Sequence, residues 1–170
     1  PGQGLVFGLS AVNGVGNNGM ILPIAALPQG QNPVDTFIPV ARIAYALLHP
    51  GTEFTYDGDR HLYPDLKLVW WSGGNPFHHH QDLGRLVQAW QKPDTIIANE
   101  WTWNANARHA DIVLACTTSL ERDDIQITPR EAFMSVMDKV IEPVGEARDD
   151  YEIFAGIAER LGADEAYTEG

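Results

Sequence analysis

Apolar runs alternate with helical patterns in the second half of the chain. Residues 66–71 form a nearly continuous apolar run, and residues 81–91 carry apolar side chains at helical spacing. Residues 95–98 predict a second buried strand, a short helical stretch follows over 103–110, and residues 111–115 predict a third strand. This alternation predicts an α/β fold in three layers, with a mostly parallel sheet and a Rossmann-like βαβαβ core.

The flanking patterns complete the expected organisation. Residues 39–48 predict a short helix, residues 52–59 a hairpin, and residues 149–161 a final helix. The apolar face of that final helix is predicted to comprise Tyr151, Phe154, Ile157, Ala158 and Leu161. Residues 1–35 are rich in Gly and Pro and predict an irregular segment, whereas 36–170 predict one α/β domain.

Small and polar residues follow each of the three predicted strands. They are residues 72–75 after the first strand, 99–100 after the second and 116–118 after the third. In parallel sheets, ligands bind beyond the carboxyl ends of the strands. The sequence therefore predicts a ligand-binding edge made by these three segments.

The glycine turn after the first strand allows two interpretations. Gly73 and Gly74 let the backbone approach a phosphate or sugar closely, and the side chain of Asn75 can both donate and accept hydrogen bonds. The same residues could form a tight turn without any ligand. The pattern is not the GxGxxG of dinucleotide-binding proteins, so the turn alone leaves both interpretations open.

Three adjacent histidines, residues 78–80, follow the turn. A metal site is disfavoured because adjacent side chains point in different directions, whereas zinc ligands are usually separated by a helical turn. Surface histidines, or a hydrogen bond from one imidazole to a phosphate or ribose, remain the alternatives. No metal ligand is assigned to this chain.

Asn99 and Glu100 follow the second strand. A carboxylate there can accept hydrogen bonds from N1–H and the 2-amino group of guanine, a match that adenine does not offer, but a solvated loop acid is the ordinary alternative. Trp101 and Trp103 could form a stacking surface or pack between domains, and packing is the favoured interpretation.

Composition narrows the possible functions. The net charge is −12, from 23 acidic and 11 basic residues, which argues against a duplex nucleic-acid binder but not against a nucleotide site. Cys116 is the single cysteine, so internal disulfides are excluded, and we expect it to be a small packed residue.

The charged segment at 120–124 predicts a solvated loop with local ion pairs. No membrane span and no catalytic constellation is visible in the sequence. Because the chain begins at Pro1, we expect it to be part of a longer protein.

Several motifs together resemble one enzyme family. They are SGGNPFHHHQDL at 72–83, AWQKPDT at 89–95, ARHADIVL at 107–114 and LERDDI at 120–125, with IPVARI at 38–43 and GEARDDY at 145–151. The set closely resembles the molybdopterin oxidoreductases of the dimethyl sulfoxide reductase family. Within that family it is most similar to the biotin sulfoxide and trimethylamine N-oxide reductases.

The resemblance implies a cofactor and a reaction. Such enzymes hold molybdenum in bis(molybdopterin guanine dinucleotide) and reduce S-oxides or N-oxides by oxygen-atom transfer. By motif, this chain would be the domain that holds one guanosine arm. The expected cofactor-binding residues are Gly74, Asn75, His79, Asn99 and Glu100.

The resemblance also sets expectations about the parent enzyme. Its remaining domains would be the partners of this chain, and they would carry the molybdenum ligand, so no catalytic residue is assigned here and Cys116 is not the ligand. The fragment alone is expected to be inactive. The competing hypothesis is a stand-alone nucleotide-binding or interaction module without a redox role. A bacterial cytoplasmic or periplasmic location is equally compatible with these residues.

Overall fold

The computed structural model describes residues 38–127 and 134–168, apart from the side chains of residues 127 and 134. A short 3₁₀ helix, Val40–Arg42, precedes the first α-helix. In chain order the elements are α1 Ile43–Leu48, β1 Glu53–Tyr56, β2 Asp59–Leu62, β3 Leu68–Ser72, α2 Pro76–His79, α3 Leu83–Trp90, β4 Thr95–Glu100, α4 Ala105–Arg108, β5 Ile112–Ala115, β6 Asp124–Ile127, β7 Met134–Met137, α5 Asp150–Leu161 and α6 Asp164–Thr168. The irregular segment predicted over 1–35 lies outside the described residues.

The described residues divide into two compact units, and the first contains residues 38–67 and 80–92. Its hairpin pairs β1 with β2 in antiparallel register; a hairpin was predicted here over 52–59, but its second strand extends to Leu62. The two residues of the turn, Asp57 and Gly58, have φ values of 51° and 89°, which suits a tight hairpin connection. Phe54 stacks on Tyr63 with ring centroids 4.2 Å apart, at the centre of the buried cluster of this unit.

Helix α3 also belongs to the first unit, where it contacts α1. It begins after Asp82, whose carboxylate accepts a hydrogen bond from the main-chain N–H of Arg85 at 3.2 Å. Leu86 and Ala89 are fully buried. The helix predicted over 81–91 is therefore confirmed, although it clusters with α1 rather than with the strands that it connects along the chain.

The second unit is built on a parallel sheet with the strand order β3-β4-β5. Trp71 is in register with Ala98, which in turn is in register with Val113. The central strand β4 is the most buried of the three because it has a neighbour on each side. The mixed α/β class and the parallel sheet are confirmed, whereas the Rossmann-like core and the three layers stay predictions.

Several elements of the second unit were not predicted. The strands β6 and β7 form a separate two-stranded sheet, and the short helices α2 and α6 were also missed. A single parallel bridge between Cys116 and Arg148 extends the sheet beyond β5. Among the described helices, none is both long and apolar enough to cross a membrane.

Helix α5 follows its predicted bounds closely. Asp149 caps it, accepting a hydrogen bond from the main-chain N–H of Glu152 at 2.7 Å. Its predicted apolar face is only partly correct. Ala158 is buried and Phe154 packs against the indole of Trp70 with centroids 5.1 Å apart, but Tyr151 and Leu161 are 49% and 77% exposed.

Candidate functional site

A cleft of about 790 Å³ lies in the second unit at the carboxyl ends of β3, β4 and β5. Residues of the three segments 73–79, 99–104 and 116–122 line it, together with Asp150. All five side chains or backbone positions assigned from the sequence contribute to this lining: Gly74, Asn75, His79, Asn99 and Glu100. The structure therefore brings together the three polar segments that the sequence placed at the ends of consecutive strands.

The glycine turn adopts a backbone that strongly favours glycine. Gly73 and Gly74 have φ values of 77° and 73°. A Cβ atom added to Gly73 would meet no atom of the described residues within 4 Å, so backbone conformation rather than lack of space explains the glycine. The indole N–H of Trp71 donates to the carbonyl oxygen of Gly74 at 3.2 Å, which fixes the turn to the end of β3.

Asn75 begins the transition from this turn to α2. Its side chain is only 7% exposed, and its Oδ1 accepts from the main-chain N–H of Phe77 at 3.0 Å. Its Nδ2 has no hydrogen-bond partner among the described residues. A buried amide without a partner is costly and unusual, so this donor is a candidate for a bond to a ligand.

The histidine triplet does not gather around a common point for a metal. His78 and His79 end α2 and line the cleft. Among the described residues, no group of three or more His, Cys, Asp or Glu side chains could hold a metal ion. The two cleft histidines are instead placed where an imidazole could donate a hydrogen bond to a ligand oxygen.

Asn99 and Glu100 are the last two residues of β4, not the first two residues of a loop. Strand β4 continues through them because Asn99 is in register with Ser72 and Glu100 with Ala115. The sequence suggested an earlier end because these two residues are polar. Their side chains are nevertheless buried, at 3% and 6% exposure.

The amide of Asn99 is bonded within the protein on both sides. Its Oδ1 accepts from the indole N–H of Trp70 at 2.9 Å, and its Nδ2 donates to Oδ1 of Asp150 at 2.8 Å and to Ser72 Oγ at 3.4 Å. Both N–H groups are thus in use. Asn99 holds Asp150 and Ser72 in place at the cleft.

The carboxylate of Glu100 is held by two asparagines. Oε2 accepts from Nδ2 of Asn104 at 2.8 Å, and Oε1 accepts from Nδ2 of Asn106 at 2.8 Å. Neither partner is a cation. Because each carboxylate oxygen has about two acceptor positions, one position on each oxygen of Glu100 is left for a ligand.

Sequence reasoning missed the role of Glu121, which it assigned to a solvated charged loop. Glu121 is 6% exposed and accepts hydrogen bonds from the N–H and hydroxyl of Thr118, at 2.7 and 2.8 Å, and from the N–H of Val144 at 2.8 Å. These bonds, led by that from the backbone of Thr118, lower the pKa of Glu121 below its ordinary value of 4.5. The Thr-x-x-Glu spacing, which is typical of a capping box, was a signal for the contact.

Arg122 completes this part of the cleft lining. Its guanidinium binds Asp124 through Nε at 2.9 Å and through a second nitrogen at 2.8 Å, and it donates to the carbonyl oxygen of Thr117 at 2.6 Å. The local ion pair predicted for this segment is present. A hydrogen bond from the N–H of Ile125, and the bond from Arg122, lower the pKa of Asp124.

Cys116 lies at the cleft but is poorly suited to act as a nucleophile. Burial raises its pKa to about 11, and the nearby carboxylates of Asp150 and Glu100 act in the same direction. The thiolate is the reactive form, so this thiol stays protonated and weakly reactive near neutral pH. The weak reactivity agrees with the expectation that Cys116 is not a nucleophile, but the residue is half-buried at the cleft rather than fully packed.

Two tryptophans beside the cleft are largely exposed. Trp101 and Trp103 are each 65% exposed, and Trp101 lines the cleft. Packing of these two rings within the described part of the chain is therefore slight. A stacking surface and packing between domains both stay predictions for these two rings.

Comparison with known proteins identifies the family. A family model described as "Molybdopterin oxidoreductase" matches residues 7–160, which is most of the chain. The chain belongs to the molybdopterin oxidoreductase family. Of the three segments that line the cleft, 73–79 lies within one motif that carried the resemblance, and 116–122 overlaps another at residues 120–122.

Curated relatives within this family are S-oxide and N-oxide reductases. The chain is 46% identical over its whole length to a biotin sulfoxide reductase of Cereibacter sphaeroides, covering 23% of that protein. It is 45% identical to a trimethylamine-N-oxide reductase of Haemophilus influenzae, covering 22% of it. It is also 51% identical over 79% of its length to a dimethyl sulfoxide/trimethylamine N-oxide reductase of Cereibacter sphaeroides, covering 17% of that protein. The chain thus spans less than a quarter of the length of these relatives.

A solved structure supports the same fold. Acetylene hydratase from Pelobacter acetylenicus aligns with 61% of this chain and 14% of its own, with a TM-score of 0.52 and 26% sequence identity. That protein is named as a hydratase and not as a reductase. The shared fold therefore does not by itself select a reaction.

Proposed function

We propose that this chain is a cofactor-binding domain of an S-oxide or N-oxide reductase, and that its cleft holds a guanosine arm of bis(molybdopterin guanine dinucleotide). The observation that carries this proposal is the carboxylate of Glu100. It is buried at the cleft without a cationic partner among the described residues, and each of its oxygens keeps one acceptor position. Guanine presents two adjacent N–H donors, which match two parallel acceptor positions.

The other cleft residues fit a nucleotide as well. The open space beside Gly73 admits a ligand close to the backbone, and the unpartnered Nδ2 of Asn75 is a donor in need of an acceptor such as a phosphate or ribose oxygen. We assign Gly74, Asn75 and His79 to that part of the ligand. An arginine in the lining, Arg122, reduces the repulsion between the acidic cleft and an anionic ligand.

Asn99 is assigned a less direct role. Both N–H groups of its amide are used by Asp150 and Ser72, so we propose that it supports the ligand by fixing those two side chains. Glu100 then makes the direct contact with the base. In this scheme the residues of the chain bind and orient the cofactor, and none of them carries out chemistry on the substrate.

The reaction is inferred from the relatives. When bound, the molybdenum cofactor would supply oxygen-atom transfer from an S-oxide or N-oxide, as the names of the curated relatives indicate. The remaining domains of such an enzyme would supply the molybdenum ligand and the substrate channel. The competing module without a redox role is not favoured, because the family match extends over residues 7–160.

Titration of the cofactor-free protein with GMP and AMP tests the guanosine site. We expect GMP, and not AMP, to shift the amide NMR signals of residues 73–80 and 99–100. Glu100→Gln replaces one acceptor oxygen by a donor and should weaken GMP binding at least tenfold, about 1.4 kcal/mol. Glu146→Gln, which changes an exposed carboxylate outside the cleft, is the matched control and should leave the affinity unchanged. Equal affinity of the Glu100→Gln variant and the control would refute the assignment of Glu100.

A further inference from the structure

The side chains of Asn104 and Asn106 restrict how the carboxylate of Glu100 can turn. Each donates through Nδ2 to a different carboxylate oxygen, and both distances are 2.8 Å. A carboxylate held on both oxygens cannot rotate freely about its terminal bond. The two remaining acceptor positions consequently keep one fixed direction relative to the cleft.

Asn104 links this carboxylate to a helix. Its Oδ1 accepts from the main-chain N–H of Ala107 at 3.0 Å, so the same side chain caps α4 and holds Glu100. The main-chain carbonyl oxygen of Glu100 accepts from the N–H of Cys116, the residue directly after β5, at 3.2 Å. Glu100 is therefore fixed through its backbone to the sheet and through its side chain to α4.

Asn106 is difficult to explain by packing alone. It is fully buried, at 0% exposure, and its Oδ1 has no hydrogen-bond partner among the described residues. An apolar side chain of similar size would avoid burying an unsatisfied carbonyl oxygen. The bond from its Nδ2 to Glu100 is the interaction that an apolar residue could not replace.

We propose that Asn104 and Asn106 are positioning residues that make the site selective for guanine over adenine. This inference rests on the proposed function, in which Glu100 contacts the base. A freely turning carboxylate can accept one hydrogen bond from the 6-amino group of adenine. A carboxylate fixed on both oxygens presents two acceptors side by side, which guanine satisfies with N1–H and its 2-amino group. Adenine would set its N1 acceptor against one of the oxygens, and that contact is repulsive.

The Asn104→Ser substitution separates the two roles of Asn104. Its hydroxyl can still cap α4, but it lacks the amide that reaches Glu100. We expect Asn104→Ser to fold with unchanged far-UV circular dichroism and to lower the preference for GMP over AMP about tenfold. Asn106→Ser should act in the same direction on the other oxygen. Isothermal titration of the cofactor-free protein with GMP, IMP and AMP measures both the affinity and the selectivity.

IMP tests the geometry directly. It keeps N1–H but lacks the 2-amino group, so the wild-type protein should bind it less tightly than GMP. In the Asn104→Ser variant the ratio of GMP to IMP affinity should fall towards unity, because a carboxylate that is held only by Asn106, on one oxygen, no longer keeps both acceptors directed at the base. A residue with only a structural role would reduce all three affinities by a similar factor.

Asn104→Asp adds a readout in pH. Aspartate caps a helix as well as asparagine does, but it would place a second carboxylate against Glu100. Two ionised carboxylates repel each other, and a hydrogen bond can form between them only when one of them is protonated, which is favoured as the pH is lowered. Selectivity for GMP in this variant should therefore be lost at pH 8 and increase as the pH is lowered, whereas the wild-type selectivity should change less.

The outcomes separate the two proposals. If the wild-type protein binds AMP as tightly as GMP, the proposed function fails and this inference fails with it. If the wild-type protein prefers GMP, and folded variants at positions 104 and 106 keep the same preference, the inference alone is overturned.

Discussion

Asn99 donates a hydrogen bond to Asp150 at 2.8 Å and thereby joins the carboxyl end of β4 to the first residue of α5. The two residues are 51 positions apart in the chain. Asn99 is almost fully buried and Asp150 is half-buried, so this amide–carboxylate bond is partly shielded from solvent and holds α5 beside the cleft.

Exchanging the two side chains tests this bond. Asn99→Asp sets one carboxylate against another and should lower the free energy of unfolding by ~1–3 kcal/mol, the usual effect of losing a bond to a charged group. Adding Asp150→Asn restores a donor and acceptor pair, so the double variant should regain most of that loss. Urea denaturation of both single variants and the double variant measures the coupling. Additive effects in this cycle would contradict the contact.

The network around Glu121 predicts a dependence of stability on pH. Since hydrogen bonds lower its pKa in the folded state, the stability from Glu121 is present above its ordinary value of 4.5 and is lost as the pH falls through the lower folded value. Asp124, whose pKa is also lowered, acts in the same direction. We expect Glu121→Gln to flatten the decrease in stability below about pH 4.5.

Thermal unfolding at several pH values measures this effect. Glu146→Gln removes an exposed carboxylate from the same unit and is the matched control, which should keep the wild-type slope. An unchanged slope in Glu121→Gln would show that the contacts with Thr118 and Val144 do not stabilise the ionised form.

Cys116 should react slowly with alkylating reagents. Its pKa of about 11 exceeds the ordinary value of 9.0. The fraction of thiolate near pH 8 is therefore about 100-fold smaller than in a free cysteine, and the rate should fall in proportion. Because the carboxylate of Asp150 raises this pKa, Asp150→Asn should increase the rate. Iodoacetamide labelling from pH 7 to 11, with the urea-unfolded protein as reference, provides the measurement. A folded protein that reacts as fast as the unfolded one would contradict the shift.

The parallel sheet and the position of the cleft could be predicted from the sequence because both follow from local patterns. Continuous apolar runs with polar residues at their ends specify strands and a ligand edge, and this placed Gly74 and Glu100 at one site. The end of β4 was misjudged because Asn99 and Glu100 are polar but buried. Their burial depends on partners such as Asp150 and Asn106, which no local pattern reveals.

Long-range contacts also explain the other errors. Glu121 was taken for a solvated acid although the spacing from Thr118 was a local signal, and its other partner, Val144, is 23 residues away in a segment without a regular pattern. The short strand β7 was missed because four residues carry too little periodicity to predict a strand. The cluster to which α3 belongs could not be deduced, since an amphipathic pattern predicts a buried face but not the element that covers it.

The backbone of the glycine turn yields a prediction with an internal control. Gly73 has a φ of 77°, and a Cβ there would meet nothing within 4 Å in the part of the chain that the structure describes, so Gly73→Ala should cost only the backbone strain of ~1–2 kcal/mol. Gly73→Asn should cost less, because asparagine adopts this conformation more readily. Gly84 lies in α3, where an added Cβ would come no closer than 3.9 Å to Asp82, and Gly84→Ala should stabilise by ~0.4–1 kcal/mol. Chemical denaturation compares the three variants. Equal effects of alanine at positions 73 and 84 would contradict the left-handed turn on which the cleft is built.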